Sequence, residues 1–282
     1  MNEGIFNLTT KEKEDLEFTT KELELIKPLY TSKEIDRYFT SKNNENWVIY
    51  TDSSFKDKSK IEQFPNLKRH IDRFKEVITT DNKPYGIHRA RNEYFFKGNK
   101  ILALRKCVGK PLFSYVDFDT YVNQAFYVIK SERINLKYLT ALLNSKLVAF
   151  WLKYKGKMQG DNYQVDKEPI LNIPIKNIED TKPFKILVDY IIYLKQEKKE
   201  NYIIEFFERV IDIAVYELYF KEELHSKGFG ILEVLESELI PFDNSFETIE
   251  RVYKKLSDKN HKVAYNVNFI DTLDIVKTIE NK

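Results

Sequence analysis

The 282-residue chain is poor in the residues that build disulfides and metal sites. Its single cysteine, Cys107, excludes a disulfide within the chain and a zinc site made mainly of thiolates, which fits a reducing compartment. The four histidines are scattered, and none has a second metal ligand at short spacing. No run of 18 apolar residues is present and the N-terminus is polar. We therefore expect a cytoplasmic protein without a membrane span or signal peptide.

Sequence motifs for catalysis are also missing. The chain has eight glycines, and none belongs to a glycine-rich phosphate loop; Gly228 and Gly230 form an isolated pair. There is no metal-binding helix motif with two histidines and no nucleophile elbow. Asp189, Glu197 and Lys199 loosely resemble a metal-dependent nuclease set, but they lie in one charge-rich helical run. An endonuclease is therefore the weakest of the hypotheses for this chain.

The charge of the chain is unevenly distributed. Its net charge is only +2, yet residues 1–179 hold 31 lysines and arginines against 24 acidic residues, and residues 180–282 hold 15 against 20. A content of 42% hydrophobic and 14% aromatic residues predicts a packed core. The asymmetry favours a basic binding domain joined to a mildly acidic helical region. Two parts with unrelated surface chemistry would give the same pattern.

Residues 83–106 interleave cations with aromatic rings. Phosphates require positive charge and bases require planar partners, so this composition is typical of a nucleic-acid surface. Arginine can also bind the edge of guanine through two atoms. A half-buried strand with solvated charges is the alternative interpretation. The residues are Arg89, Arg91, Lys97, Lys100, Arg105 and Lys106, with Tyr85, Tyr94, Phe95 and Phe96.

Hydrophobic periodicity predicts an α+β fold. We expect a mixed, mostly antiparallel sheet between about 45 and 130, packed against a long helix at 136–154 and followed by a helical C-terminal arm. Strands are predicted at 47–50, 101–104, 112–116 and 121–129. Helices are predicted at 19–29 (capped by Thr20), 64–74, 135–154 (capped by Asn135), 184–199, 202–224, 231–239 and 246–257 (Asn244 and Glu247 as capping box). Residues 155–163 are predicted as a basic polar loop.

Several segments resemble one protein family. They are Leu25–Phe39, with Lys27-Pro28 and Ile35-Asp-Arg-Tyr38; Arg91–Tyr94; Lys100–Arg105; Leu136–Leu147 followed by Lys155-Gly-Lys157 and Leu171–Ile175; and Val215–Tyr219. These segments resemble the TaqI-like C-terminal specificity domains, the target-recognition domains of adenine-specific DNA methyltransferases and related restriction or phage-exclusion enzymes. The match from Leu136 to Ile175 is the most specific, because its order and spacing both agree. The resemblance covers roughly residues 20 to 225; residues 231–282 match nothing in it.

The resemblance implies sequence-specific recognition of duplex DNA. The family's glycine-containing cofactor loop and its Asn-Pro-Pro-Tyr-type motif do not occur in this sequence. We therefore expect the recognition part of a longer type II (IIG-like) or related restriction-modification enzyme. No cofactor is expected in this chain, and S-adenosylmethionine is expected in the catalytic domain of the parent chain or of a partner subunit. The parent would be a site-specific DNA (adenine) methyltransferase, with or without endonuclease activity. Residues 1–180 would be the target-recognition domain and 181–282 the helical arm.

Twelve residues are candidates for DNA contacts, and no catalytic or metal-binding residue is expected. Base edges would be read by arginines and amides: Arg89, Arg91, Gln159 and Asn162. Phosphates would be held by Lys97, Arg105, Lys106, Lys110, Lys153, Lys155 and Lys157. Tyr163 is either a loop anchor or a base-stacking ring. The rival hypothesis is a protein-interaction scaffold, in which the helical arm binds a partner and the basic residues are incidental.

Overall fold

The computed structural model describes residues 4–281. The strands are β1 (Asn7–Thr9), β2 (Ile26–Tyr30), β3 (Asn46–Ile49), β4 (Lys100–Leu104), β5 (Lys106–Val108), β6 (Phe113–Val116), β7 (Tyr121–Val122), β8 (Phe126–Ile129), β9 (Lys157–Gln159) and β10 (Asn162–Gln164). The helices are α1 (Thr10–Asp15), α2 (Thr20–Leu23), α3 (Pro65–Asp72), α4 (Leu136–Asn144), α5 (Lys146–Lys155), α6 (Lys167–Leu171), α7 (Lys182–Gln196), α8 (Asn201–Tyr219), α9 (Lys221–Ser226), α10 (Leu232–Glu238), α11 (Phe246–Leu256), α12 (Lys262–Phe269) and α13 (Asp274–Glu280).

The chain divides into two compact units. Unit 1 contains the chain up to Ile35 together with Ser41–Lys100 and Val116–Val128, and unit 2 contains Asp36–Thr40, Ile101–Tyr115 and the chain from Ile129 onward. Small sheets accompany many helices, which confirms the predicted α+β class. The predicted single sheet is wrong, because the strands form separate small sheets. The functional division at residue 180 stays a prediction.

Unit 1 contains a four-stranded sheet in the order β1-β3-β2-β7. β2 pairs antiparallel with β3 and parallel with β7. The helix predicted at 19–29 is wrong in its second half, because α2 ends at Leu23 and β2 begins at Ile26. Pro28 lies within that strand, opposite Trp47 and outside the two residues paired with β7, and its fixed φ and missing N–H would interrupt a helix. The cap is Thr19 rather than Thr20, and its hydroxyl accepts from the Glu22 N–H.

A buried carboxylate links α2 to α3 in unit 1. The Glu22 side chain is fully buried and accepts a hydrogen bond from the Leu67 N–H at 2.9 Å. It also accepts from the Thr19 N–H at 2.8 Å, which completes a capping box. Despite the cost of burial, these hydrogen bonds lower the pKa of Glu22. The helix predicted at 64–74 is confirmed as α3.

In unit 2 the predicted long helix is broken at Ser145. Ser145 has extended backbone angles, ends α4, and caps α5 by accepting from the Val148 N–H at 3.3 Å. The Asp212 carboxylate accepts from the Lys146 N–H at 2.8 Å. Two side chains, Ser145 and Asp212, therefore accept hydrogen bonds from N–H groups in the first turn of α5. Asn144 bonds both backbone groups of Phe113, at 2.7 and 3.2 Å, which fixes the end of α4 to β6. The contact between helix and sheet is therefore present, but through two shorter helices.

The helical region after residue 181 is confirmed. Side chains of α7 and α8 such as Leu187, Ile191, Phe207 and Ile211 are completely buried. The cap of α11 is Ser245 rather than Asn244, and α12 and α13 were not predicted. Between residues 4 and 281 no helix combines the length and the apolarity that crossing a bilayer requires.

Candidate nucleic-acid interface

The segment predicted as a loop at 155–163 is part of a three-stranded antiparallel sheet in unit 2. Its strand order is β5-β10-β9, so the hairpin β9–β10 adds to the edge of β5. The loop prediction is therefore wrong. α5 leads directly into this hairpin through Gly156, whose N–H bonds the Leu152 carbonyl at 3.0 Å.

The hairpin turn follows from a two-residue Gly-Asp sequence. Gln159 and Asn162 are direct partners in the register, so only Gly160 and Asp161 lie between the strands. Gly160 has a φ of +61°, at the first central position, where a type II′ turn requires a residue that tolerates positive φ. The Gly-Asp pair is a known hairpin signal and could have revealed the hairpin from the sequence.

The register places the side chains of the sheet in three rows. Val108, Asn162 and Gln159 form the row next to the turn; Cys107, Tyr163 and Met158 form the middle row; and Lys106, Gln164 and Lys157 form the third. Because side chains alternate along a strand, the first and third rows share one face. We call this the amide face; it consists of Lys106, Val108, Lys157, Gln159, Asn162 and Gln164.

The amide face is solvent-exposed and brings together four of the predicted residues. Lys106, Lys157, Gln159 and Asn162 are exposed, and Gln164 is half-buried. The four exposed residues are separated by up to 56 positions in sequence, so their common face results from strand pairing. Sequence reasoning missed Val108 and Gln164, which complete the two rows.

Polar contacts on the amide face are long and few. The Gln159 amide donates to the Gln164 side-chain oxygen at 3.4 Å, and the Gln164 amide lies 3.4 Å from each Asp166 carboxylate oxygen. Lys157 Nζ lies 3.8 Å from Asp166, with 73% of the lysine side chain exposed. Within residues 4–281 the Asn162 side-chain amide has no hydrogen-bond partner. Such exposed contacts are weak and are easily exchanged for a ligand.

The middle row faces inward. Cys107 is buried, and burial raises the pKa of its thiol to about 11, so the thiol is neutral at physiological pH. Tyr163 and Met158 are half-buried, and burial raises the pKa of the Tyr163 hydroxyl. Tyr163 therefore lies on the opposite side of the sheet from the predicted amides. Its proposed contact with DNA stays a prediction.

The other predicted basic residues of unit 2 lie at the ends of neighbouring elements. Lys110 is exposed in the turn after β5, and Arg105 is half-buried between β4 and β5, where its carbonyl accepts from the Val165 N–H at 2.8 Å. Lys153 and Lys155 lie in the last turn of α5, where cations also stabilise the helix dipole. The Lys155 ammonium lies 5.9 Å from the centre of the Trp151 ring. These positions are compatible with phosphate contacts and with a local structural role.

The predicted arginines of unit 1 are not in an extended strand. Arg89 is exposed in a turn with a φ of +48°, and Asn92 caps a 3-10 turn at Glu93–Phe96 by accepting from the Tyr94 N–H. The alternative interpretation of residues 83–106, a half-buried strand with solvated charges, therefore does not apply to Arg89 or Arg91. The Arg91 guanidinium donates to the carbonyls of Asn123 and Phe126, both at 3.3 Å. Lys97 is exposed, and its ammonium lies 4.0 Å from Glu93.

A cavity of about 830 Å³ in unit 2 is lined by the hairpin turn, α5, α8 and α13. Its charges are largely compensated: Glu280 is paired with Arg209 and, at 2.8 Å, with Lys146. Asp212 is also in this lining, and burial raises its pKa to about 6. Ion pairs in the lining hold α5 and α8 in place. The cavity lacks the excess of positive charge that a polyanion site requires.

No metal site is present in the part of the chain that the structure describes: no three metal-ligating side chains are grouped together between residues 4 and 281. Of the carboxylates considered for a nuclease, Asp189 on α7 is hydrogen-bonded to Lys137 on α4. Asp189 Oδ1 therefore helps to hold these two helices together.

Comparison with known proteins assigns the family. The TaqI-like C-terminal specificity domain matches residues 27–175, which is more than half of this chain. The chain belongs to this family. The specificity-domain match includes β2, β4, the broken helix α4–α5 and the whole β5-β10-β9 sheet.

Two curated relatives are methyltransferases. The type II methyltransferase M.HincII of Haemophilus influenzae is 30% identical over 175 residues, which covers 56% of this chain and 34% of the relative. The type II methyltransferase M.HindII of Haemophilus influenzae strain Rd is 39% identical over 70 residues, covering 24% of this chain and 14% of the relative. This specificity-domain chain therefore matches about a third or less of the length of these relatives.

One solved structure shares the fold. The type IIL restriction-modification enzyme MmeI, solved in complex with DNA, superposes with a TM-score of 0.55 at 16% identity, covering 89% of this chain and 34% of that one. At this identity the likeness concerns the fold alone.

The arginine-tyrosine pair by which the sequence resembled the specificity-domain family has a structural role here. Arg37 donates to the Asn144 carbonyl at the end of α4 at 2.8 Å and to the Pro111 carbonyl at 3.1 Å. Tyr38 is buried, and its N–H donates to the Phe113 carbonyl at 2.9 Å. Both residues thus join the segments that position α4 and β6.

Proposed function

We propose that this chain is the DNA target-recognition part of a restriction-modification methyltransferase and that it binds duplex DNA through the amide face. Membership of the specificity-domain family supports recognition of a target. The observation that carries the proposal is the meeting of Lys106, Lys157, Gln159 and Asn162 on one exposed face. Lysines supply affinity for phosphates, and amides can both donate to and accept from base edges.

The dimensions of the sheet suit a major groove. Adjacent strands lie about 4.8 Å apart, so the outer strands of a three-stranded sheet are about 10 Å apart, against about 12 Å for the width of the B-DNA major groove. The turn Gly160–Asp161 has a glycine without a side chain at its tip, which permits close approach to the duplex. We expect the hairpin to lie along the groove with the amide face toward the bases.

The methyltransferase chemistry belongs to another domain in this proposal. That domain would bind S-adenosylmethionine and hold the target adenine, either in the same parent chain or in a partner subunit. The curated relatives are methyltransferases of which this chain matches about a third or less, which supports a separate catalytic part.

The test is a paired lysine substitution. Lys106→Ala with Lys157→Ala should weaken binding to specific and random duplexes alike and reduce the slope of log affinity against log salt by about 2, if each lysine neutralises one phosphate. The matched control replaces Lys221 and Lys259, two exposed lysines of unit 2 outside the sheet. Fluorescence anisotropy from about 50 to 200 mM salt, a range over which counterion release changes affinity strongly, gives both slopes. Equal slopes for wild type and both double variants would reject the amide face as the phosphate-binding surface.

A further inference from the structure

Val108 is an exposed apolar side chain within a polar face. It is 87% exposed, although valine is among the residue types most often buried. It lies directly opposite Asn162 in the register, in the row next to the hairpin turn. Side chains paired in this way have Cβ atoms about 4.5–5.5 Å apart, so a methyl-bearing and an amide-bearing side chain project side by side. Folding alone gains nothing from this exposure.

The pair matches the major-groove edge of one kind of base pair. Adenine presents an acceptor and a donor that an asparagine amide can bond simultaneously, and thymine presents a C5-methyl group that prefers apolar contact. A G·C pair has no methyl group there, and its guanine is read by arginine or lysine. The row Val108–Asn162–Gln159 contains no cation.

Asn162 is the amide best placed for this role. The Gln159 and Gln164 amides bond each other at 3.4 Å, whereas the Asn162 amide has no partner between residues 4 and 281. We propose that Asn162 and Val108 together read an A·T base pair from the major groove, with Asn162 bonded to the adenine and Val108 packed on the thymine methyl. This inference rests on the proposed function, because it requires that the amide face enters the groove.

The experiment changes one chemical group at a time in the DNA and the matching side chain in the protein. The full chain first selects its preferred duplex from a randomised pool. Each thymine in that duplex is then replaced by uracil, which lacks only the methyl group, and binding is measured for wild type, Val108→Ala, Val108→Thr and Val77→Ala. Thr keeps one methyl on a β-branched side chain, and Val77 is an exposed valine of unit 1 that serves as the control (63% exposed).

At one thymine, replacement by uracil should weaken DNA binding by wild type, Val108→Thr and Val77→Ala about fourfold, which is the value for one buried methyl group. The same replacement should leave DNA binding by Val108→Ala unchanged. At the paired adenine, 7-deazaadenine should weaken wild type and leave Asn162→Ala unchanged. If the chain binds duplex DNA but uracil costs wild type and Val108→Ala equally at every thymine, the A·T assignment is overturned while the proposed function stands. If the chain binds no duplex at all, both are overturned.

Discussion

Replacing Asp212 by asparagine should remove a pH dependence from the stability of the protein. The Asp212 carboxylate lies at the start of α5, the helix that leads into the hairpin, and accepts from the Lys146 N–H at 2.8 Å. It is almost completely buried, and burial raises its pKa to about 6 from an ordinary value of 3.8. Asparagine has nearly the same shape and keeps an oxygen that can accept the same hydrogen bond, but it does not ionise.

The direction of the pH dependence of stability follows from proton linkage. Because the folded chain binds the Asp212 proton more tightly than the unfolded chain, this group favours folding below about pH 4 and loses that contribution as the pH rises through about 6. The two pKa values, at about 1.4 kcal/mol per unit, give about 3 kcal/mol, of which somewhat more than 2 kcal/mol falls between pH 4 and 7.5. The variant should lack this loss.

Urea unfolding of both proteins at several pH values between about 4 and 7.5 measures the difference directly, because its midpoint and slope give the free energy of unfolding. The free energy of Asp212→Asn minus that of wild type should rise by about 2 kcal/mol across this range. Asp15→Asn, the same substitution at an exposed position in unit 1, is the matched control. Parallel curves for Asp212→Asn and wild type would refute the reasoning, since Asp212 would then ionise alike in the folded and unfolded chains.

Three further outcomes are expected. Gln159→Ala or Asn162→Ala should erode discrimination between the preferred and a random duplex more than it erodes random binding; equal losses, measured by anisotropy, would place the base-reading surface elsewhere. Glu217→Ala should lower the free energy of unfolding by about 3 kcal/mol in urea titration, because the Glu217 carboxylate accepts hydrogen bonds from the N–H groups of Ile231 and Leu232 at 2.6 and 2.8 Å. A loss under about 0.5 kcal/mol would contradict this. The purified chain with S-adenosylmethionine and duplex DNA should transfer no methyl group in a radiolabel assay; transfer would mean that the chain itself holds the cofactor.

The sequence predicted the fold class and most helices because their signals are local. The Asn135 cap, the apolar periodicity of α7 and α8 and the strand at β3 act over a few residues each. The start of α5 after the break at Ser145 is stabilised by the Ser145 cap, which is local, and by the Asp212 carboxylate, which lies 66 residues from Lys146 and cannot be inferred from a local pattern. β2 was assigned to a helix because its strand character comes from pairing with β3.

The candidate site was predicted in composition but not in geometry. Chemistry alone identifies four of the six residues of the amide face, and only the pairing of β5 with β10 places Lys106 and Val108 beside the hairpin. The hairpin itself has a local signal at Gly160-Asp161, although glycine and aspartate are also common in loops. Arg91 illustrates the opposite case, because its guanidinium is bonded to carbonyls more than 30 residues away, which its sequence context does not reveal.

The most direct test of DNA recognition by this chain is the salt dependence of its binding to duplex DNA. Four exposed lysines lie on or beside the β5-β10-β9 sheet: Lys106, Lys110, Lys155 and Lys157. If each neutralises one phosphate, log affinity should fall against log salt with a slope of about −3 to −4 for random duplex, and a preferred duplex should bind more tightly at the same salt. Absence of binding at low salt, or a slope near zero, would contradict DNA recognition and favour the protein-interaction scaffold.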